Sequence, residues 1–390
     1  MILIILGTRP EIIKLYPIID IFIKKKQSFK ILHTGQHYSN KLSNQFLKQL
    51  QFPKNKIINL KVGSGNHGDQ TSAMIIGIEK ILKKNDNIKT VVVYGDTNSA
   101  LGGALAASKF HNIKLIHLEA GLRSFDKNMP EELNRRLIDH SSDLLLCPTN
   151  ISKKYLLKEG ISPKKIYVTG NTVNDSIKSK LVQQHLKKKR IYKNKYIVLT
   201  IHREENTLNT NNLKRILKSL MKISRHTKYE VIFPTHPKTK KILNKITYDK
   251  SKIKSIDPMD YFSFLNLLKN SELIVSDSGG VQEEACILRV PLITIRKSTE
   301  RPETIQIGCN VLSKIKDKIH KTLGISHEFK SEEMKSLFNQ LVLLSQSPNL
   351  KKFPILLTGE TGTGKTTIAE RFHEMIKKDE NEDIPFKKVL

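Results

Sequence analysis

The chain lacks any long apolar stretch. No hydrophobic run reaches the roughly 18 residues that a bilayer-spanning helix requires. The apolar opening Met1–Leu6 has no basic segment before it and continues into a turn that begins at Gly7. We therefore predict a buried first strand here and no signal peptide, and we expect a cytoplasmic protein without membrane insertion.

Cysteine is also scarce. Cys147, Cys286 and Cys309 are odd in number and far apart in the sequence. This pattern fits neither a disulfide framework nor the ligand spacing of a zinc site. We expect buried or incidental thiols and no metal centre.

Acidic residues are few compared with basic ones. The chain has 37 Asp and Glu against 67 Lys and Arg, which gives a formal net charge of +30. Aromatic residues do not interleave with the densest basic runs, 187–190 and 238–254, as stacking platforms for nucleic acid would. We expect no nucleic-acid partner, and the positive field favours an anionic substrate instead.

The 390 residues are enough for two domains, and their pattern predicts an α/β fold. Short strand-like runs alternate with helix-like segments, which is typical of βαβ units in parallel sheets. The runs are Ile2–Leu6, Lys30–Thr34, Thr90–Tyr94, Lys114–Leu118, Leu144–Cys147, Lys165–Val168, Tyr196–Thr200, Glu230–Pro234, Leu273–Ser276 and Leu292–Ile295.

We place two Rossmann-like, doubly wound parallel-sheet domains at residues 1–185 and 186–312. A polar extension follows at 313–390. Ligands of open parallel sheets bind beyond the carboxyl ends of the strands, so we expect the site in a cleft between the domains.

Charged residues follow several strands of the first domain. Arg9 and Lys14 lie at a strand-to-helix turn whose N–H groups favour phosphate. Asp96 and Glu119 each follow a strand, and Glu131 opens a helix. Carboxylates so placed can supply an acid and a base, although each could equally cap a helix or complement its dipole.

The second domain offers a phosphate site. Ser278–Gly280 lie between a strand and a helix, where backbone N–H groups form an anion cradle. Glu284 follows one helical turn later and can accept ribose hydroxyls, while Arg296 and Arg301 add positive charge. His202 is a candidate proton carrier or phosphate ligand, or else an ordinary loop histidine.

In this order, the blocks resemble the non-hydrolysing UDP-N-acetylglucosamine 2-epimerases over residues 1–312. The resemblance implies a GT-B-like fold, no cofactor and a homodimer. The matching blocks are Gly7–Lys14, Thr34–His37, Gly95–Ser99, His117–Arg123, Pro130–Arg135, Thr169–Thr172, His202–Asn206, Ser276–Glu284 and Glu300–Glu303.

The resemblance implies that UDP leaves UDP-N-acetylglucosamine as the C2 proton is removed, and that UDP then adds back to 2-acetamidoglucal to give UDP-N-acetylmannosamine for surface polysaccharide. It does not separate the acid from the base. It implies these catalytic residues: Asp96, Glu119, Glu131 and His202. It implies these UDP-binding residues: Arg9, Lys14, Phe264, Ser278, Gly279, Gly280, Glu284 and Arg301. Gln36 and His37 would belong to a second, activating substrate site.

The resemblance stops after Leu312. Residues 327–390 resemble instead the opening of the ATPase domain of bacterial enhancer-binding activators, and Gly359, Gly364, Lys365 and Thr366 fit the P-loop spacing. No apolar strand ending in a Mg²⁺-binding Asp follows, so we expect an incomplete ATPase fragment.

Four alternatives remain open at this point. The first is a hydrolysing 2-epimerase that releases N-acetylmannosamine and UDP, and the second is a GT-B glycosyltransferase. The third is an ATP-driven transcription regulator that uses the P-loop. The fourth is a sugar-nucleotide binding protein without turnover, because the usual closing helix of the epimerases is replaced.

Overall fold

The structure is a computed structural model that describes residues 1–35, 47, 50, 52–63, 65–207 and 209–313. These residues form two units, and the division falls between Lys180 and Leu181. We call them the N-terminal unit and the C-terminal unit. Each contains one parallel sheet with helical crossovers, which confirms the prediction of two Rossmann-like α/β domains.

The N-terminal unit has a seven-stranded sheet in the order β3-β2-β1-β4-β5-β6-β7. Its strands are β1 (Ile2–Leu6), β2 (Phe29–His33), β3 (Ile57–Asn59), β4 (Thr90–Tyr94), β5 (Lys114–Leu118), β6 (Leu144–Cys147) and β7 (Ile166–Val168). Its helices are α1 (Arg9–Lys24), α2 (His67–Lys83), α3 (Asn98–Ala107), α4 (Pro130–Ser141), α5 (Asn150–Lys158) and α6 (Thr172–Lys178). Short 3₁₀ turns lie at Lys54–Lys56 and Pro163–Lys165.

The C-terminal unit has a six-stranded sheet in the order β10-β9-β8-β11-β12-β13. Its strands are β8 (Tyr196–Thr200), β9 (Glu230–Pro234), β10 (Ile253–Ile256), β11 (Leu273–Ser276), β12 (Leu292–Ile295) and β13 (Asn310–Ser313). The first of its helices, α7 (Lys180–Leu186), crosses the division between the units. The others are α8 (Glu204–Thr207), α9 (Thr210–Thr227), α10 (Pro237–Leu243), α11 (Tyr261–Lys269), α12 (Gly279–Leu288) and α13 (Pro302–Gln306).

Each sheet reverses its strand order once, and candidate residues lie at both reversals. In the N-terminal unit the reversal falls between β1 and β4, which are followed by Arg9 and Asp96. In the C-terminal unit it falls between β8 and β11, which are followed by His202 and Ser278. Open parallel sheets bind ligands at such switch points, because the loops diverge there and leave a crevice.

Helix α3 lies unusually close to its neighbours because it contains adjacent glycines. A Cβ on Gly102 would stand 2.8 Å from the Met74 Cβ on α2. A Cβ on Gly103 would stand 2.7 Å from the Ile5 Cδ1 on β1 and 3.0 Å from Val93 on β4. The pair is structural, since it lets α3 sit against both α2 and the sheet.

The sequence analysis did not predict three strands, and all three lie at sheet edges. They are β3, β10 and β13, each of three or four residues. An edge strand has one hydrogen-bonded neighbour and does not need to be apolar on both faces. Ile253–Ile256, for example, has Lys and Ser at its centre, so no continuous apolar run marks it.

The expectation of incidental thiols was wrong for two of the three cysteines. Cys286 on α12 and Cys309, just before β13, form a disulfide with their Cα atoms 5.7 Å apart. Spacing along the chain could not show this, because the pair meets only when the fold brings α12 beside the loop before β13. Cys147 is free and buried, and burial raises the pKa of its thiol to about 12.

We predict that Gly103→Val lowers the melting temperature of the protein. The added methyl groups would overlap Ile5 and Val93, and overpacking of this kind costs about 1–3 kcal/mol. Thermal unfolding followed by circular dichroism measures the effect. The matched control is Gly68→Ala on α2, where an added Cβ meets no atom within 4 Å. An unchanged melting temperature in Gly103→Val would contradict the close packing of α3.

Candidate active site

The turn after β1 is organised by a buried carboxylate, that of Glu11. Its Oε2 accepts hydrogen bonds from the Gly7 N–H at 2.8 Å, the Thr8 N–H at 2.7 Å and the Thr8 hydroxyl at 2.9 Å. Its Oε1 accepts from the Thr97 hydroxyl at 2.7 Å. Burial raises the pKa of Glu11, although these hydrogen bonds oppose the shift. The Gly7 and Thr8 N–H groups, which the sequence analysis expected to favour phosphate, therefore bond to Glu11 within the turn. The contact with Thr97 joins this turn to the loop that carries Asp96.

Asp96 follows β4 and is held by α4. The Arg135 guanidinium donates to Asp96 Oδ2 through Nε at 2.9 Å, and its Nη2 lies 2.7 Å from the same oxygen. The Asn134 amide donates to the Asp96 backbone carbonyl at 2.9 Å. The Asp96 side chain keeps 30% of its surface exposed, so it is both oriented and accessible.

Glu119 follows β5, next to the Asp96 turn. Its carboxylate pairs with the Lys14 ammonium, and the Asn171 amide donates to the same oxygen, Oε1, at 3.1 Å. A Cβ on Gly95 would stand 3.3 Å from the other oxygen, so Oε2 faces the residue before Asp96. Glu119 has a left-handed backbone with φ +67°, a costly conformation for a non-glycine residue that often accompanies functional sites.

Glu131 and its neighbour Glu132 on α4 differ in burial and in hydrogen bonding. Glu132 is buried and accepts from the Ser124 N–H and hydroxyl and from Arg135 Nη1 at 2.8–3.0 Å. The Glu131 side chain is exposed and has no hydrogen bond or ion pair to another residue that the structure describes. Of the two acids, Glu132 shapes the loop, and Glu131 remains available to a ligand.

A buried chain of alternating charges supports the loop of Glu119. It runs from His117 through Asp139 and Arg123 to Glu159, with contacts of 2.7, 2.7 and 2.6 Å. Burial alone would raise the pKa of Asp139, but the contacts with His117 and Arg123 outweigh it and lower that pKa.

The His117 ring connects the two carboxylate-bearing loops. Nδ1 lies 2.7 Å from the ionised Asp139, and Nε2 lies 2.9 Å from the Gly95 carbonyl oxygen. Both neighbours are acceptors, so the His117 ring bridges them through its two nitrogens. It fixes the Gly95–Asp96 turn relative to β5 and Glu119.

In the C-terminal unit, Asp277 organises the loop that carries His202. Its buried carboxylate accepts from the His202 N–H at 3.0 Å, the Arg203 N–H at 3.1 Å and the Asn206 amide at 2.9 Å. The His202 ring is exposed, and its Nε2 lies 2.9 Å from the Thr200 hydroxyl. The backbone of His202 is therefore fixed while its ring reaches solvent.

Ser278–Gly280 start α12, as the sequence indicated, but Gly279 has a second reason to be glycine. A Cβ there would stand 2.2 Å from a carboxylate oxygen of Glu300, which pairs with Arg296 at 2.7 Å. Arg301 pairs with Glu283 at 2.5 Å. Both arginines of the expected anion clamp are therefore buried beside carboxylates, which fix where their guanidinium groups lie.

The other predicted residues are placed as follows. Glu284 is buried on α12, and Phe264 is half-buried on α11. Gln36, His37 and the P-loop residues Gly359, Gly364, Lys365 and Thr366 lie outside the described residues. Within the described part of the chain, no three His, Cys, Asp or Glu side chains gather as metal ligands would, and no helix is long and apolar enough to cross a bilayer.

Sequence reasoning assigned no role to four residues that hold the site: Arg135, Asn171, Asp139 and Asp277. Arg135, Asn171 and Asp277 stood in recognised blocks, so the sequence showed their positions but not the residues that they contact. Asp277 follows β11 directly, and a carboxylate at a switch-point strand end is a signal that could have found it. Asp139 lies in the last turn of α4, and its partners His117 and Arg123 lie on and after β5, so its role depends on contacts between elements.

Comparison with known proteins gives two family matches. A model described as UDP-N-acetylglucosamine 2-epimerase matches residues 22–340, and one described as Sigma-54 interaction domain matches residues 328–389. The first match runs past Leu312, where the sequence analysis ended the resemblance. The second covers the P-loop segment.

Individual relatives agree with the first match. The UDP-N-acetylglucosamine 2-epimerase of Methanocaldococcus jannaschii is 50% identical over 321 residues, which cover 79% of this chain and 87% of the relative. The UDP-2,3-diacetamido-2,3-dideoxy-D-glucuronate 2-epimerase of Pseudomonas aeruginosa is 38% identical over 314 residues, which cover 80% of this chain and 87% of the relative. A crystal structure of the M. jannaschii enzyme in complex with UDP-GlcNAc and UDP aligns with a TM-score of 0.74 at 47% identity, covering 84% of this chain and 93% of that one.

We predict that Asp139→Asn destabilises the N-terminal unit strongly. Loss of the central negative charge removes the carboxylate partner of His117 and leaves Arg123 with Glu159 alone, and breaking a buried ion pair costs about 3–5 kcal/mol. Urea unfolding at pH 7 measures the change. Asp257→Asn is the control, because the exposed pair of Asp257 with Lys240 should contribute little.

The loss of folding stability in Asp139→Asn should also depend on pH. The pKa of Asp139 is lowered in the folded state, so its stabilising effect is complete above the ordinary carboxyl pKa of about 4 and is lost as the pH falls through the lower folded value. The difference between wild type and Asp139→Asn should therefore shrink in acid. A difference that is small at pH 7 would contradict the ion chain.

Proposed function

Because this chain belongs to the UDP-N-acetylglucosamine 2-epimerase family, we propose that it inverts C2 of UDP-N-acetylglucosamine and interconverts that compound with UDP-N-acetylmannosamine. The observation that carries this proposal is the pair of carboxylates on neighbouring strand ends, Asp96 after β4 at the switch point of the N-terminal sheet and Glu119 after the adjacent β5.

The chemistry requires removal of a weakly acidic proton. No carbonyl stands next to C2 of the sugar, so the proton leaves only as the C1–O bond to UDP breaks, and the electron pair forms the C1–C2 double bond of 2-acetamidoglucal. One carboxylate accepts the C2 proton. In the reverse addition a proton returns to the opposite face, and the C1–O bond to UDP forms again.

The carboxylates differ in their surroundings, which suits them to different parts of this cycle. Glu119 receives donors from Lys14 and Asn171 on the same oxygen. Asp96 rests against the Arg135 guanidinium and is partly exposed. Glu131 is the most open of the three.

Departure of UDP requires positive charge at its diphosphate. We assign this to Arg9 and His202 and to the N-terminus of α12 at Ser278–Gly280, whose N–H groups suit a phosphate. Arg301, Glu284 and Phe264 complete the UDP set. Fixed donors of this kind stabilise charge as it develops on the leaving group.

We further propose the non-hydrolysing reaction, in which UDP returns to the intermediate. The alternative is that water adds and releases N-acetylmannosamine and UDP. The opening block Gly7–Lys14 supports the non-hydrolysing branch through its resemblance. The proposal includes a cytoplasmic homodimer that supplies N-acetylmannosamine units for surface polysaccharide.

A second candidate substrate comes from the Pseudomonas aeruginosa relative, which is named for a diacetamido glucuronate at 38% identity. Both sugars carry a 2-acetamido group on a UDP-linked ring, so the C2 chemistry is shared. Parallel assays with UDP-N-acetylglucosamine and the diacetamido glucuronate compare their kcat/KM values. We expect the higher value for UDP-N-acetylglucosamine.

We predict that UDP-N-acetylglucosamine incubated with the protein in D₂O gains deuterium at C2 and forms UDP-N-acetylmannosamine. The exchange follows because the abstracted proton mixes with solvent before it returns. Proton NMR records the loss of the H2 signal and the new anomeric signal together. Asp96→Asn and Glu119→Gln should each slow exchange by about 100-fold or more, while Asp257→Asn should not.

Other outcomes separate the alternatives. Free N-acetylmannosamine with UDP would replace our proposal with the hydrolysing reaction. UDP-N-acetylmannosamine without deuterium would exclude proton removal at C2. UDP release that needs an added acceptor sugar would indicate a glycosyltransferase.

A further inference from the structure

The structure assigns a positioning role to Asn171: we propose that its side-chain amide orients the Glu119 carboxylate for proton transfer at the sugar. The inference rests on the proposed function, which makes Glu119 a catalytic carboxylate. It concerns a residue that the sequence analysis placed only within a recognised block, Thr169–Thr172.

The orientation of the Asn171 amide is fixed by its neighbours. Oδ1 accepts the Val173 N–H at 3.0 Å and so caps the N-terminus of α6. Nδ2 must then point the other way, and it donates to Glu119 Oε1 at 3.1 Å. Rotating the amide by 180° would set an oxygen against the carboxylate and an NH₂ group against an N–H, so only one arrangement is favourable.

A second element supports the cap from the opposite side. The buried Tyr94, at the end of β4, donates its hydroxyl toward Asn171 Oδ1 at 3.4 Å, and the Tyr94 hydroxyl oxygen also lies 3.0 Å from the Thr172 hydroxyl. Asn171 is therefore tied to both α6 and β4. Two donors on Oδ1 hold the amide in place and leave Nδ2 directed at Glu119.

The contact with Lys14 does not by itself define the direction of the Glu119 carboxylate. Lys14 contacts the carboxylate through a long side chain, whose ammonium can follow the carboxylate as it rotates. The Asn171 amide is planar and anchored, so it selects one rotation. That rotation turns Oε2 toward Gly95 and the turn that carries Asp96.

The role is distinct from capping, and the chain offers variants that separate the two. Asn, Asp and Ser are all good N-cap residues, so Asn171→Asp and Asn171→Ser retain the cap of α6. Asp keeps the reach toward Glu119 but sets a second carboxylate there. Ser is too short to reach. The matched control is Asn209→Asp at the N-cap of α9, where Asn209 accepts from the Asn211 and Asn212 N–H groups.

We expect Asn171→Asp and Asn171→Ser to lower kcat for C2 exchange by about 10- to 100-fold, the size of effect that misplacement of a reacting group produces. KM should change by less than about threefold, because Asn171 acts through Glu119 and not on the substrate. In Asn171→Asp alone, the acidic limb of the kcat–pH profile should move up by about one unit, because a like charge hinders ionisation. Asn209→Asp should change none of these.

The measurement separates this inference from the proposed function. Wild-type protein without any C2 exchange would overturn both. Exchange by the wild type, with an Asn171→Asp variant that matches it in kcat and pH profile, would overturn only the role of Asn171. A loss of kcat that parallels a lowered melting temperature, without the pH shift, would reduce Asn171 to a helix cap and also overturn the proposal.

Discussion

The buried carboxylate of Asp139 is the interaction on which the N-terminal site depends. It lies in the last turn of α4 and contacts His117, Arg123 and the Gly121 N–H at the same time. Through His117 it reaches the turn before Asp96, and through Arg123 and Gly121 it holds the loop that follows Glu119. A change at this one oxygen pair would therefore loosen two strand ends together. The helix also carries Glu131 and Arg135, so α4 relates all three candidate carboxylates.

Other buried carboxylates hold loops in the same way elsewhere in the chain. Glu11 collects the N–H groups after β1, Glu132 those of the loop at Ser124, and Asp277 those after β8. Loops at strand ends leave N–H groups without partners, and a buried carboxylate satisfies several of them at once. In a chain with an excess of basic residues, several of the few acids are therefore internal anchors.

Much of the fold could be predicted from the sequence, because central parallel strands are apolar on both faces. Ile2–Leu6, Thr90–Tyr94 and Tyr196–Thr200 have the bounds that were expected. The edge strands and the pairing of Cys286 with Cys309 could not be predicted, since an edge strand needs no continuous apolar run and a disulfide depends on which segments the fold brings together. For the site, the sequence identified which residues follow strands. It could not identify their partners, such as Glu283 for Arg301 or Arg135 for Asp96, because those lie on other elements.

The close approach of Glu300 to Gly279 links two segments that are separate in the sequence. The space that a β-carbon would need at the start of α12 is already filled by an oxygen of a residue 21 positions later, and that residue is itself held by Arg296. A side chain introduced at Gly279 would therefore have to displace the Glu300 carboxylate and disturb its contact with Arg296. A substitution at the start of α12 would thus be transmitted to the 296–301 loop, so the two segments respond to mutation as one block.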